Sequence, residues 1–477
     1  MKRVSIFFII LSSLILGCSP TSKQADTSII RMAIAQAPLN LDPRYATDAA
    51  SERLNRLLYQ RLVEFDDRYQ AVPGLANWQV LSPQQYRFTL NQSAEFHHGQ
   101  ALTAHDIKAT YESLLALRDA PHRAEFAHIH KIEVHDAKTL SFFLSKADKH
   151  FVEKLIIGIL PQQLIATNHD FSRAPVGSGP MKFVRWQSAL TLVRVRDGQQ
   201  LVFTEVKDPT VRVLKLVRGE VDLLQGDLPP ELVKYLQSKP DITVNTNKGT
   251  NFSYLGVNMQ DPILRERNVR RAIAHAIDRP AIVRQVMVDS TRLAGAILPP
   301  EHYAGNAALA PYAYRPLYAK QLLQASGVKL PLKLIYKTST DAQRVRFATI
   351  LQAQMAPAGI DLEIRSLDWG TFFEDVKQGQ FQLYGLTWVG IKTPEIYLKA
   401  FGNDFAPPQG FNRGRYQDAA LDALLHEENW PAATTRIHQQ LPYIPLWYEG
   451  QFAAYRQPVK RYQPQPDGNW DGLATLE

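Results

Sequence analysis

The chain has 477 residues, 45% of them hydrophobic, and a formal charge of +8. That length holds about two or three domains around a substantial core. The positive excess is spread thinly, without a basic run or an interleaved aromatic stripe, which argues against nucleic-acid binding and suits residence near an anionic surface or a mildly acidic ligand.

Met1-Lys2-Arg3 precedes an apolar run from Ile6 to Leu16, broken only by Ser12 and Ser13. A short positive region, an apolar run too short to span a bilayer and the small Gly17 describe a secretory leader over residues 1–17. Cys18 follows directly and is the only cysteine in the chain. An exported protein with one cysteine holds no internal disulfide, so its stability must come from a core. The arrangement resembles a bacterial lipobox, with Cys18 as the lipidated first residue of the mature chain; the alternative is an ordinary leader with a chance cysteine. Ser19 follows it rather than an aspartate, so nothing marks the protein for inner-membrane retention. Residues 18–28 are polar and aperiodic, as a tether should be. No other apolar run approaches spanning length, so the expectation is an anchored protein and not an embedded one.

From Ile29 the pattern gives a strand and a Pro-punctuated loop. Asp48 then caps a helix whose stripe is Leu54, Leu57, Leu58 and Leu62. A strand pair around Tyr86-Phe88-Leu90 leads to a turn at Gly99 and a helix with the capping box Thr103–Asp106. Ile107, Tyr111, Leu114 and Leu115 form its buried face. Seven histidines lie nearby, at 97, 98, 105, 122, 128, 130 and 135. His97 and His98 are adjacent and point to opposite faces of a strand, and only His128 and His130 share a face, with Glu133 nearby. The spacing does not make a zinc set, so no metal is assigned. Gly177-Ser178-Gly179-Pro180 lacks the lysine and helix start of a phosphate cradle.

The segment Thr250–Val283 organises the remainder. "TNFSYLGVN" alternates like a half-buried strand, Asp261-Pro262 forces a turn, and Val269, Ala272, Ile273, Ala276 and Ile277 make one helical stripe, with Arg270, Arg271 and His275 facing elsewhere. Asp278 and Pro280 begin a second helix. Further on, strands alternate with helices: "LKLIYKTS", a helix over 341–356, "IDLEIRSL", a helix after Trp369 and a strand ending at Trp388. That alternation predicts an α/β lobe. "IPLWYEGQFAAY" then returns as a strand.

"YLGVN" with "NVRRAIAHAIDR", "VPGLANWQ" with "FHHGQALTAHDI", the Gly177–Pro180 loop and the Gly-Glu-Val-Asp turn at 219–222 together resemble the extracytoplasmic solute-binding proteins of family 5, the peptide/nickel-binding type. The resemblance spans the mature chain, with two shortened regions. It implies a two-lobed, periplasmic-binding-protein-like α/β fold of class II, mixed sheets flanked by helices and two hinge crossings. Lobe one is expected at 29–45, 173–250 and 446–477, an extra subdomain of it at 46–172, and lobe two at 251–445. Glu220 and Asp222 are read as structural.

Peptide-binding members of that family carry an aspartate in the loop after the strand matching "LYGLTWVG", where it meets the ligand's amino terminus. Here the loop is "VGIKTPEIYL", with Lys392 and Thr393 in place of the acid. Glu395 and Asp404 are the candidate substitutes, and a ligand without an amino terminus, or an anionic one, becomes the better expectation. The candidate ligand contacts are Tyr45, Trp388, Thr393, Phe411, Asn412 and Arg413: aromatic walls, with an arginine that can fork onto a carboxylate.

The function implied is that of a lipid-anchored component of an ABC importer, which captures a peptide, a peptide-like or another small or anionic solute by hinge closure. Its partners are permease subunits and the membrane holding Cys18. It is expected to act as a monomer in the periplasm or cell envelope and to need no cofactor. A non-transporting sensor or assembly protein on the same scaffold is the alternative. The chain offers no nucleophile elbow, no His-Glu-x-x-His pair and no cysteine nucleophile, so an enzyme is not expected.

Overall fold

The computed structural model describes residues 29–66, 68–407 and 410–476; the leader, Cys18 and the tether lie outside them. Among the described residues, eleven strands form one sheet that runs through both lobes, beside a four-stranded and a two-stranded sheet in the extra subdomain. No described helix is long and apolar enough to cross a membrane.

Local signals explain most elements. Asp48 accepts the Ser51 N–H at the start of helix Ala49–Leu58, and Leu54, Leu57 and Leu58 are fully buried beneath it. The capping box at Thr103 and Asp106 opens helix Ala104–Ala116. Gly177 and Gly179 press on the end of the first helix, where an added Cβ would lie 2.0 Å from the Leu58 carbonyl at 177 and 2.4 Å from the Leu57 carbonyl at 179. His97 fastens this loop, since its N–H donates to the Gly177 carbonyl and its Nε2 lies 2.9 Å from the Gly179 carbonyl. His122 and His135 likewise bond Ala46 and Ser141.

Helix Arg267–His275 buries Val269, Ala272 and Ile273 as its periodicity requires, and Ala276 and Ile277 are buried just past its end. Arg270 departs from the expectation that it faces outward. It is 3% exposed, and its guanidinium donates to the carbonyls of Leu264, Arg265 and Gln440. An arginine with five donors can close three chain ends at once, which an apolar residue cannot. Burial drives its pKa down to about 10.

Two long strands join the lobes. Thr243–Val257 pairs antiparallel with Tyr443–Tyr455 along almost its whole length. The register breaks once between the lobes: Asn247 faces Gln451 and Asn251 faces Glu449, so Lys248, Gly249 and Thr250 oppose the single residue Gly450. Extra residues on one strand bend it and raise its twist locally. Beyond the bend, Leu332–Ser339 pairs in parallel with Ile360–Leu367 and with Leu383–Trp388, and the last of these pairs Trp388 with Phe252. The carboxyl ends of these three strands therefore point back toward the bulge and lobe one. Lobe two packs both faces of its sheet, Leu255, Ile273, Leu334 and Leu351 on one, Tyr254, Phe372, Tyr384 and Tyr443 on the other.

The bulge is sterically closed. A Cβ on Gly249 would lie 1.5 Å from the Glu449 carbonyl oxygen, and one on Gly450 would lie 2.2 Å from Ser290 Oγ. Gly249→Ala should therefore lower stability by about 1–3 kcal/mol, the range for overpacking, read by urea denaturation. A change within about 0.5 kcal/mol would mean that the strands cross with room to spare.

Candidate functional site

Ligands of open α/β sheets bind outside the carboxyl ends of the strands. In lobe two those ends are Ser339, Leu367 and Trp388, and new helices follow at Ala342, Trp369 and Glu395. Asp341 and Asp368 cap the first two. At this edge three of the six expected contact residues, Trp388, Phe411 and Arg413, meet one another.

Arg413 is 8% exposed and lies in an aromatic cage. Its Cζ stands 4.6 Å from the Trp388 ring centroid, 5.3 Å from Phe373 and 5.7 Å from Phe411. Nη1 donates to Tyr254 Oη at 3.0 Å. Ring quadrupoles hold the cation, and no ion pair to Arg413 is found among the described residues. Phe411 is 40% exposed, and the buried Trp388 Nε1 lacks an acceptor among them. Asn412 is fully used inside the loop: Nδ2 donates to the Gly402 and Tyr416 carbonyls, and Oδ1 accepts the Tyr416 N–H. Its role is to fix the loop that presents its neighbours. Thr393 is half-buried between Trp388 and the next helix, and its carbonyl accepts the Ile396 N–H. Tyr45 stands apart from this group. Its ring packs on the extra subdomain and its hydroxyl donates to Asp119 at 2.9 Å.

One carboxylate at this edge escaped sequence reasoning. Glu449, beside the bulge, accepts the Ser253 hydroxyl at 2.5 Å and the Thr387 hydroxyl at 2.9 Å, both on Oε1. A glutamate inside the apolar run "IPLWYEGQFAAY" was the available signal. The two acids considered from sequence are placed differently. Glu395 pairs with Lys154 at 3.4 Å and Lys399 at 3.3 Å, and Asp404 is exposed.

The lobes touch across an ionic seam. Glu428 of lobe two receives Lys149 at 2.7 Å and His150 at 2.5 Å from the extra subdomain. Lys392 meets Asp467 at 3.0 Å, Arg346 meets Glu231 at 2.6 Å, and the Tyr69 and His302 rings are 4.9 Å apart. Two surface depressions lie away from this seam. One, of about 480 Å³, is lined by Met259, Arg265, Arg270 and Arg415 and also by Asn412 of the candidate site. The other, of about 330 Å³, lies beside Asp241 and Arg456 in lobe one.

Comparison with known proteins agrees with this architecture. Residues 70–406 match the family model described as bacterial extracellular solute-binding proteins, family 5 middle. The chain is 26% identical to the probable di/tripeptide-binding protein 5 of Pseudomonas aeruginosa, over 98% of each chain. It is 24% identical to heme-binding protein A of Haemophilus influenzae, over 94% of this chain and 92% of that one. Its fold is similar to that of NikA from Brucella suis in complex with Fe(III)-EDTA, with a TM-score of 0.85 at 19% identity, covering 94% of this chain and 99% of that one.

His150 gives the seam a pH dependence. Nδ1 lies 3.3 Å from Glu153 and Nε2 lies 2.5 Å from Glu428, so both ring nitrogens must carry protons to donate. Hydrogen bonding to Glu153, opposed by burial and supported by Glu428, raises its pKa from 6.5 to about 9. A raised histidine pKa contributes stability that is complete below the unfolded value and lost as pH rises through the folded one. Stability should thus fall between pH 6.5 and about 9 by up to about 3 kcal/mol, and His150→Gln should flatten that slope in urea titrations. An identical slope in the variant would remove His150 from the seam's energetics.

Proposed function

Because the chain belongs to the bacterial extracellular solute-binding proteins of family 5, we propose that it is the lipid-anchored capture subunit of an ABC importer. The observation that carries this reading is the caged Arg413, a cation with no carboxylate partner among the described residues, at the carboxyl edge of the lobe-two strands. A guanidinium held by rings keeps its fork for an incoming anion. The solute is a small anionic or peptide-like molecule, with Arg413 on its carboxylate, Trp388 and Phe411 as walls, Thr393 at the rim and Asn412 shaping the loop. Tyr45 stands apart from these residues, its hydroxyl bonded to Asp119, and would be lobe one's contribution to the solute's surroundings. The names of the relatives support a broad ligand range, since they include di/tripeptide-binding and heme-binding proteins.

Capture proceeds by hinge closure at the bulge. Contacts from both lobes exist only when the cleft is shut, so a solute that makes them shifts the population toward the closed state. Lobe two is taken as residues 251–445, the extra subdomain as 46–172 and the rest of the mature chain from 29 as lobe one. Residues 1–17 are removed, and a lipid on Cys18 anchors a monomer by the tether 18–28 in the cell envelope, where permease subunits receive the solute. The alternative, a non-transporting sensor or assembly protein, has one observation in its favour: Lys392 occupies the loop where an acid was expected, and its ammonium is bonded to Asp467.

Two variants test the reading. In a thermal-shift screen of small carboxylates and peptides, the solute that stabilises the chain should bind Arg413→Ala about 10–100-fold more weakly, as expected for a lost bond to a charged group. Undiminished affinity would place the solute elsewhere. In cells fed a labelled fatty acid, the unsubstituted protein should carry the label and Cys18→Ser should not; equal labelling would reject the anchor.

A further inference from the structure

Lys392 sits in the loop between the strand ending at Trp388 and the helix beginning at Glu395, and it crosses to lobe one. Its Nζ lies 3.0 Å from Asp467 Oδ2, and the two side chains are only 18% and 15% exposed. The surroundings of Asp467 are those of a cation site. The Phe65 ring lies 5.8 Å from the ammonium. The Tyr69 hydroxyl is pushed up to about 12 by burial and then by Asp467. Aromatic faces beside a carboxylate are what an ammonium ion prefers when it leaves water.

Both partners are held in place. Asp467 accepts the Asn469 N–H at 3.0 Å and Asn469 Nδ2 at 2.7 Å. The adjacent Pro466 carbonyl takes the N–H of Thr250, inside the bulge, at 3.0 Å. On the other lobe, His302 Nδ1 accepts the Ala304 N–H at 3.0 Å, so the ring proton is on Nε2, which donates to the Lys392 carbonyl at 2.8 Å. The Tyr69 ring packs on that same histidine. Phe65, Tyr69 and Asp467 belong to lobe one, Lys392 and His302 to lobe two, so the site exists only when the lobes meet.

We propose that the Lys392 ammonium is the built-in occupant of a cation site between the lobes, which holds them together without solute and denies Asp467 to solutes bearing an amino group. A buried pair of this kind contributes little over two apolar residues, but removing one partner leaves the other charge uncompensated. Specificity is the consequence: the positive end of a zwitterion finds its carboxylate already taken, whereas an anion at Arg413 meets no such competitor. Lys392 is thus a specificity-determining residue, and the inference rests on the closure proposed above.

The test uses the chain from Ser19 onward, which has no cysteine, with spin labels at Val195→Cys in lobe one and Leu317→Cys in lobe two, positions 60% and 75% exposed. Electron–electron distance measurements without solute should give one short separation. Lys392→Ala should shift it to a longer, broader distribution, and methylammonium chloride should restore the short one where sodium chloride of equal ionic strength does not. Asp467→Asn should open the lobes and resist that rescue. If single substitutions compromise folding, the exchanged pair Lys392→Asp/Asp467→Lys should return the short distance. A Lys392→Ala distribution identical to the unsubstituted one, or methylammonium acting no better than sodium, would overturn the inference and leave solute capture standing. An unsubstituted chain that is open and closes only on its solute would also overturn it, while supporting the closure reading. A distance that no variant and no solute moves would remove the closure reading itself.

Discussion

A single sheet that serves two lobes has to bend somewhere, and it bends where three residues of one strand face one of the other. Lys248, Gly249 and Thr250 against Gly450 interrupt a ladder that runs from Thr243 to Gly256, with one smaller register shift between Ser253 and Tyr254. Everything near the candidate site takes its position from that bulge. Glu449 is its neighbour, the Pro466 carbonyl that leads to Asp467 bonds into it, and Trp388 pairs with Phe252, the residue after Asn251. The two glycines are required by contact and not by backbone conformation, because the opposing carbonyl and Ser290 leave no room for a side chain.

The chemistry of the cleft follows from which charges are paired. Arg413 is surrounded by aromatic rings and Glu449 accepts from two hydroxyls, whereas Lys392, Glu395 and Glu428 each pair with a charged residue across the seam. In the proposed reading the first two are offered to a solute and the seam pairs hold the lobes together. The division separates recognition from the motion that accompanies it, and places both on loops that follow strand ends, where side chains can vary without disturbing the core. No nucleophile is needed for any of this, in keeping with relatives that are substrate-binding proteins.

The sequence specified the elements well because caps and stripes are local. Asp48, Thr103 and Asp278 each begin the helix that their side chains predict, and the stripe from Val269 to Ile277 is buried as its period requires. Arg270 was misplaced, since periodicity assigns a face and says nothing of a guanidinium that reaches back to bind carbonyls. The site was harder to read. Trp388, Phe411 and Arg413 do come together, but Asn412 spends its amide inside the loop, and Tyr45 turns to Asp119. The glutamate in its apolar run marks Glu449, but the roles of Glu449 and Asp467 are set by residues 196 and 75 positions away, Ser253 and Lys392. Long-range pairing has no signature in a single sequence.

The most direct measurement is native mass spectrometry of the chain from Ser19 onward, after exposure to a small-molecule extract, before and after denaturation and refolding. The account predicts a defined additional mass on the native protein that disappears on refolding and carries an acidic group. Equal, bare masses in both states would contradict solute capture.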